Sequence, residues 1–311
     1  MSISGSLAPF YGLAIGFFPP TNYYGITYAD DSGTQSAFNS LSWWNGPYGG
    51  NDYSGFARSF DDSSTSGPWF YSQELDSAAS NWNGSSAYGP GYSFGQSHYD
   101  STVSDYGLTL TPFYQITTSH LALDVFDSGF SQIGPNESDW LRDYHLDATA
   151  VTYSAPGWTQ TAWEVDTSLT QQNHSSGPGF DETTITTQAD QVMHLFSTVP
   201  GGFTEADAAR HQAFDFTTVD TPQMHLQINH SDQSASASSI SISPALFSET
   251  SNASHDTSDY FVSIGAGRGV VADSETHSDS HQSLLVIGGQ QGLPVVDPVH
   301  VLDSMHGFFA V

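Results

Sequence analysis

Residues 114–128, YQITTSHLALDVFDS, alternate polar with apolar side chains and carry a histidine, His120, midway. An apolar residue at every second position is the period of a β-strand, because successive side chains point to opposite faces. The same period runs through residues 107–126, 147–172 and 181–199, and it returns in QMHLQINHS (223–231), SASSISISPALF (236–247), SDYFVSIGAG (258–267) and SLLVIGG (283–289). Thr, Ser, Val, Ile and Tyr dominate these runs, which suits antiparallel strands with one wet face.

Helix signals are few. SGTQSAFNSLSWW (32–44) could cap at Ser32 or Thr34, and TEADAARHQAF (204–214) has Thr204 as N-cap with Asp207 in the capping-box place. A third helix is expected over 297–311, where Val299, Leu302, Met305 and the closing Phe308-Phe309-Ala310-Val311 form an apolar stripe. The expected fold is therefore mainly β to α+β, a large antiparallel sheet with a few helices packed on one face. Residues 44–102, a Gly, Ser, Tyr and Trp mixture, read as short elements in aromatic loops. No repeat of 20 to 50 residues stands out. A soft boundary near Val219–Thr221 divides a β-rich segment, 1–219, from further strands, 220–296, with the terminal helix at 297–311.

Composition narrows the function. The chain has no lysine and four arginines, Arg58, Arg142, Arg210 and Arg268, against 33 acidic residues, for a formal charge of −29. That charge repels phosphate backbones, so nucleic acid is not an expected partner. Unpaired acidic turns such as Asp30-Asp31 and Asp61-Asp62 suit calcium as a counterion, or simply solvent. Zero cysteines exclude disulfides, thiolate metal sites and cysteine nucleophiles. No run of about 18 apolar residues is present, so no helical membrane span is expected. The N-terminal apolar run lacks a preceding Lys or Arg and is broken by Pro9, Pro19 and Pro20, which reads as a buried segment rather than a cleaved signal.

Three motifs could carry chemistry. Gly91–Gly95, GYSFG, matches the nucleophile-elbow string around Ser93, but no strand–helix alternation surrounds it. His277 and His281, four apart with Asp279 between, could hold a metal ion on a helix or tight loop, or could be solvated. His225 and His230, five apart on a strand, should face opposite sides.

His120 has two readings, a strand residue or a pocket residue. The second rests on a resemblance: Ser119-His120 followed by Asp127-Ser128, FNSLSWWNGPYGG (38–50) and SGPWFYSQ (66–73) resemble the central hairpin and heme-loop region of HasA-type hemophores, secreted bacterial heme scavengers. The similarity covers the first half of the chain. It implies heme as cofactor, with Tyr53 in the place of the family's loop ligand, Tyr114 as the phenolate and His120 as its hydrogen-bonding neighbour. It further implies secretion from a Gram-negative bacterium through an ABC-type (type I) exporter, for which the terminal stripe would be the signal, delivery to an outer-membrane receptor, and no enzymatic activity. The alternative reading is a secreted structural protein, a biofilm-matrix, surface-layer or filament subunit, that self-assembles through β edges with calcium as a counterion.

Overall fold

The computed structural model describes residues 2–4, 12–23, 26–265 and 269–287, and every regular element among them is a β-strand. Two short strands come first, β1 (Ser2–Ser4) and β2 (Gly12–Tyr23). Twelve long ones follow: β3 (Ile26–Asn45), β4 (Tyr48–Gly67), β5 (Phe70–Gly89), β6 (Tyr92–Leu110), β7 (Gln115–Ile133) and β8 (Asn136–Ala155). The series continues with β9 (Trp158–Gly177), β10 (Phe180–Val199), β11 (Gly202–Thr221), β12 (Met224–Ser243), β13 (Leu246–Gly265) and β14 (Gly269–Ile287). All belong to one antiparallel sheet in which β3 to β14 lie in strict chain order, while β1 and β2 share the outer side of β3. Strands of 19 or 20 residues extend roughly 65 Å, and twelve of them side by side span about 50 Å.

Two of the expected helices, at 32–44 and 204–214, are strands instead. Residues 32–44 lie inside β3 and residues 204–214 inside β11, each paired along its length with a neighbouring strand. Cap signals and helix-forming alanines are local preferences worth tenths of a kcal/mol per residue, and a full ladder of inter-strand pairs overrides them. The helix expected over 297–311 falls outside the described residues. The aromatic loops of 44–102 are β4, β5 and the first half of β6, joined by two-residue turns. The sheet also continues without a break across Val219–Thr221, where β11 turns into β12.

A repeat sets this meander, and it is one of turn position. Prolines 47, 68, 90, 112, 135, 156, 178, 200, 222 and 244 stand 21 to 23 residues apart, and each sits in a connection between consecutive strands. Proline lacks an N–H, so it ends pairing at that point, and it presets the φ of a turn. In Pro-Gly turns the glycine supplies the left-handed residue, as at Gly157 (φ 79°) and Gly179 (φ 84°). Where glycine is missing, a hydroxyl replaces it: Thr111 Oγ1 accepts from the backbone N–H of Tyr114 at 3.0 Å, and Thr221 Oγ1 does the same for Met224. Turns at one end of the sheet also touch: Gly134 N donates to Gly91 O at 2.7 Å.

Glycines inside the strands have a different use. Gly33 stands directly opposite Phe60, Gly55 opposite Trp82, Gly84 opposite Tyr53, Gly95 opposite Phe130 and Gly129 opposite Trp140. In each pair the ring lies over the glycine, and a methyl at Gly33 would come within 2.5 Å of Phe60. This is how aromatic side chains find cover in a sheet on which none of the described elements packs as a second layer. Gly55→Val, which forces Trp82 off its partner strand, should therefore cost on the order of 1–3 kcal/mol, read as a lower urea midpoint with a changed near-ultraviolet circular dichroism signal; an unchanged midpoint would refute the pairing.

Candidate functional site

Strict register assigns every side chain to one of two faces. The front face carries His120, His145, His174 and His225, and the back face carries His98, His194, His211, His230, His255, His277 and His281. His225 and His230 thus point to opposite sides. Ten of these eleven described histidines contact an aspartate; His281 is the exception. Eight of the contacts join directly opposite residues on paired strands, among them His98–Asp127, His120–Asp105, His145–Asp124, His194–Asp207 and His230–Asp259.

His120 is held from both sides: Nδ1 lies 2.9 Å from Asp105 and Nε2 lies 3.1 Å from Asp147. Hydrogen bonding to Asp105 first, then to Asp147, raises its pKa above the ordinary imidazole value. His98 is raised by Asp127 and then Asp100, His174 by Asp139 and Asp181, and His230 by Asp259. Asp190 shows the converse: burial pushes its carboxyl up, but bonds from His211 and Gln188 outweigh this and hold it below the usual carboxylate range. Elsewhere like charges meet. Asp61, Asp76 and Asp105 form one front-face row across β4, β5 and β6, and burial followed by neighbouring Asp30 raises the Asp61 carboxyl.

The residues expected from the sequence do not converge. Tyr53 covers Gly84 and lies level with Ser128, so it is three strands across and eight residues along from His120. That separation is about 30 Å. Tyr114 sits in the Thr111–Tyr114 turn, stacked on Tyr153 at 5.6 Å, six residues from His120. His277 and His281 lie on a strand rather than a helix or tight loop; they share a face, but four residues of strand hold them about 13 Å apart. His277 bonds Asp279 at 2.9 Å. Ser93 of the elbow-like string is an ordinary strand residue one position into β6.

One group was not anticipated. His194, Glu205 and Asp207 share the back face of β10 and β11, with one potential ligand atom from each lying within 4.8 Å of the others. The signal was available: His194 and Asp207 are equidistant from the turn at Pro200-Gly201.

No protein-family model, curated protein or solved structure matches the chain.

Two outcomes test this chemistry. A histidine whose pKa is raised by folding stabilises the folded state fully below its unfolded value, about 6.5, and loses that contribution as pH rises through the higher folded value. The sheet should therefore unfold at a higher urea concentration at pH 5.5 than at pH 8.5, and replacing His98, His120, His174 and His230 together by glutamine should flatten the difference; a midpoint that rises with pH across that window contradicts the assignment. Hemin mixed with the protein should show no Soret shift that depends on Tyr53, Tyr114 and His120 jointly; a stoichiometric shift abolished by both Tyr114→Phe and His120→Ala would reverse that expectation.

Proposed function

We propose that the chain is a structural subunit that assembles with copies of itself, outside the cell, into stacked β-sheet layers. The observation that carries this reading is the missing second layer. Among the described residues only Ala37, Met193 and Ala206 are buried hydrophobics, whereas 35 large hydrophobic side chains are exposed. A stable domain buries one face of a sheet against another element, and none of the described elements packs on this one.

The occupant that fits both faces is another sheet of the same kind. Front and back carry the same mixture of aromatic, aliphatic and His–Asp groups, Phe38, Tyr88 and Phe130 on one side and Phe60, Tyr92 and Trp140 on the other, all exposed. Covering one such ring, already 40% or so exposed, contributes roughly 1–2 kcal/mol, and sheets stack at about 10 Å. Charge opposes association. At neutral pH the formal charge is −29 with histidine neutral, and with no lysine the imidazoles are the main groups that can reduce it. Proton uptake by His98, His120, His174 and His230, whose pKa values are raised, favours assembly in mildly acidic surroundings. Lack of cysteine and lysine and the low total charge support an extracellular setting.

Sedimentation velocity and negative-stain electron microscopy between pH 8.5 and 5.5 test this proposal. Large assemblies should grow as pH falls, and Phe38→Ser with Phe60→Ser, which removes one exposed ring from each face, should lower the assembled fraction by several-fold. A protein that stays a monodisperse monomer across the range would overturn it.

A further inference from the structure

We propose that His194, Glu205 and Asp207 form a three-ligand site for a first-row transition-metal dication of the zinc class. This site stands independently of assembly. Among the described residues they are the only set of three histidine or carboxylate side chains whose ligand atoms come within 4.8 Å of one another. His98, His120 and His174 each contact two aspartates, but one on either ring nitrogen, and their ligand atoms do not all come within 4.8 Å of one another.

Register explains the convergence. His194 lies directly opposite Asp207, with Nδ1 2.6 Å from the carboxylate, and Glu205 is two residues from Asp207 on the same strand and face, opposite Phe196. The longer glutamate reaches back toward the imidazole, which a second aspartate could not do as readily. On its other side His194 is stacked against Trp163, its directly opposite residue on β9, with ring centroids 5.6 Å apart. Trp163, opposite His194, and Phe196 and Ile240, both opposite Glu205, make one side of the cluster apolar, while the Asp207 side chain, 55% exposed, leaves the other side open to an entering ion. The His194 side chain is 21% exposed, the least among the aspartate-paired histidines. A dication relieves the repulsion between Glu205 and Asp207, and it takes the place of the hydrogen bond between His194 Nδ1 and Asp207.

The donor set selects the metal. One imidazole nitrogen and two carboxylate oxygens match zinc-class ions, which accept three protein ligands plus an open position. Calcium requires six to eight oxygen ligands, and two carboxylates fall short of that.

Isothermal titration of the full chain with zinc chloride at pH 7 should show one site tighter than the rest. Glu205→Gln and His194→Gln should each weaken that site at least tenfold, whereas His211→Gln, which breaks a His–Asp pair without a third ligand, should leave it unchanged. Calcium at the same concentration should not compete. Equal zinc affinity in all three variants and the unaltered chain would overturn the proposal, since zinc would then be held by scattered pairs. Should a variant fail to fold, electron paramagnetic resonance of the unaltered protein with one equivalent of Cu²⁺ decides: coupling to a single nitrogen, accompanied by quenching of Trp163 emission that Trp163→Phe removes, supports the site, and coupling to two or more nitrogens or to none refutes it.

Discussion

Register between neighbouring strands is the constraint on which everything else in this molecule depends. From β4 onward each strand pairs only with its neighbours in the chain, and a proline turn fixes where pairing restarts. A slip of one residue at any turn would exchange front and back for every following strand. It would also separate glycines from their covering rings and eight of the histidines from an aspartate, since these partners stand directly opposite one another. The Pro-Gly turns and their Thr-capped counterparts thus hold together two systems of side-chain pairs that have no other anchor.

Among the described residues the sheet is one layer thick, and such a sheet has no interior. In most proteins a hydrophobic core outweighs the entropy of ordering the chain and decides the fold by exclusion of water. Here that role is distributed over cross-strand pairs that are each half exposed, and the few buried side chains, Met193 and Ala206 among them, lie where Leu195 and Ala208 of the same face crowd β10 and β11. Such pairs are worth tenths of a kcal/mol to about one each. The exposed rings are then both the weakness of the single sheet and the means by which a second sheet would complete it.

The β character was legible from period two in stretches such as residues 114–128, and so was the opposite orientation of His225 and His230. The helices expected at 32–44 and 204–214 followed from caps and alanines, which speak only for neighbours in sequence, whereas strand pairing joins residues on separate elements. The repeat does not stand out in the sequence because its units share a proline at 21 to 23 residues and little else. Once the prolines are placed, folding the sequence back on each turn brings His194 onto Asp207, Asp190 onto His211 and Asp220 onto His225. The family resemblance drew together Tyr53, Tyr114 and His120, but Tyr53 lies three strands from His120, and Tyr114 lies in the turn that precedes β7, six residues away.

A chain with no lysine and four arginines must find its positive charge elsewhere. Histidine supplies it conditionally: the imidazole is a hydrogen-bond partner for aspartate at any pH, and a cation only when the medium is acidic. Placing these histidines across from aspartates makes the sheet's cohesion and its net charge respond to the same protons, with the formal charge moving from −29 toward −16 as all thirteen histidines fill. Lysines in the same positions would give permanent ion pairs and a surface indifferent to pH between 5 and 8. The composition therefore favours a sheet whose strands grip harder, and whose faces repel less, under one and the same change of conditions. Where a third ligand joins a His–Asp pair, as at Glu205, a metal ion can take the proton's place and do the same without acid.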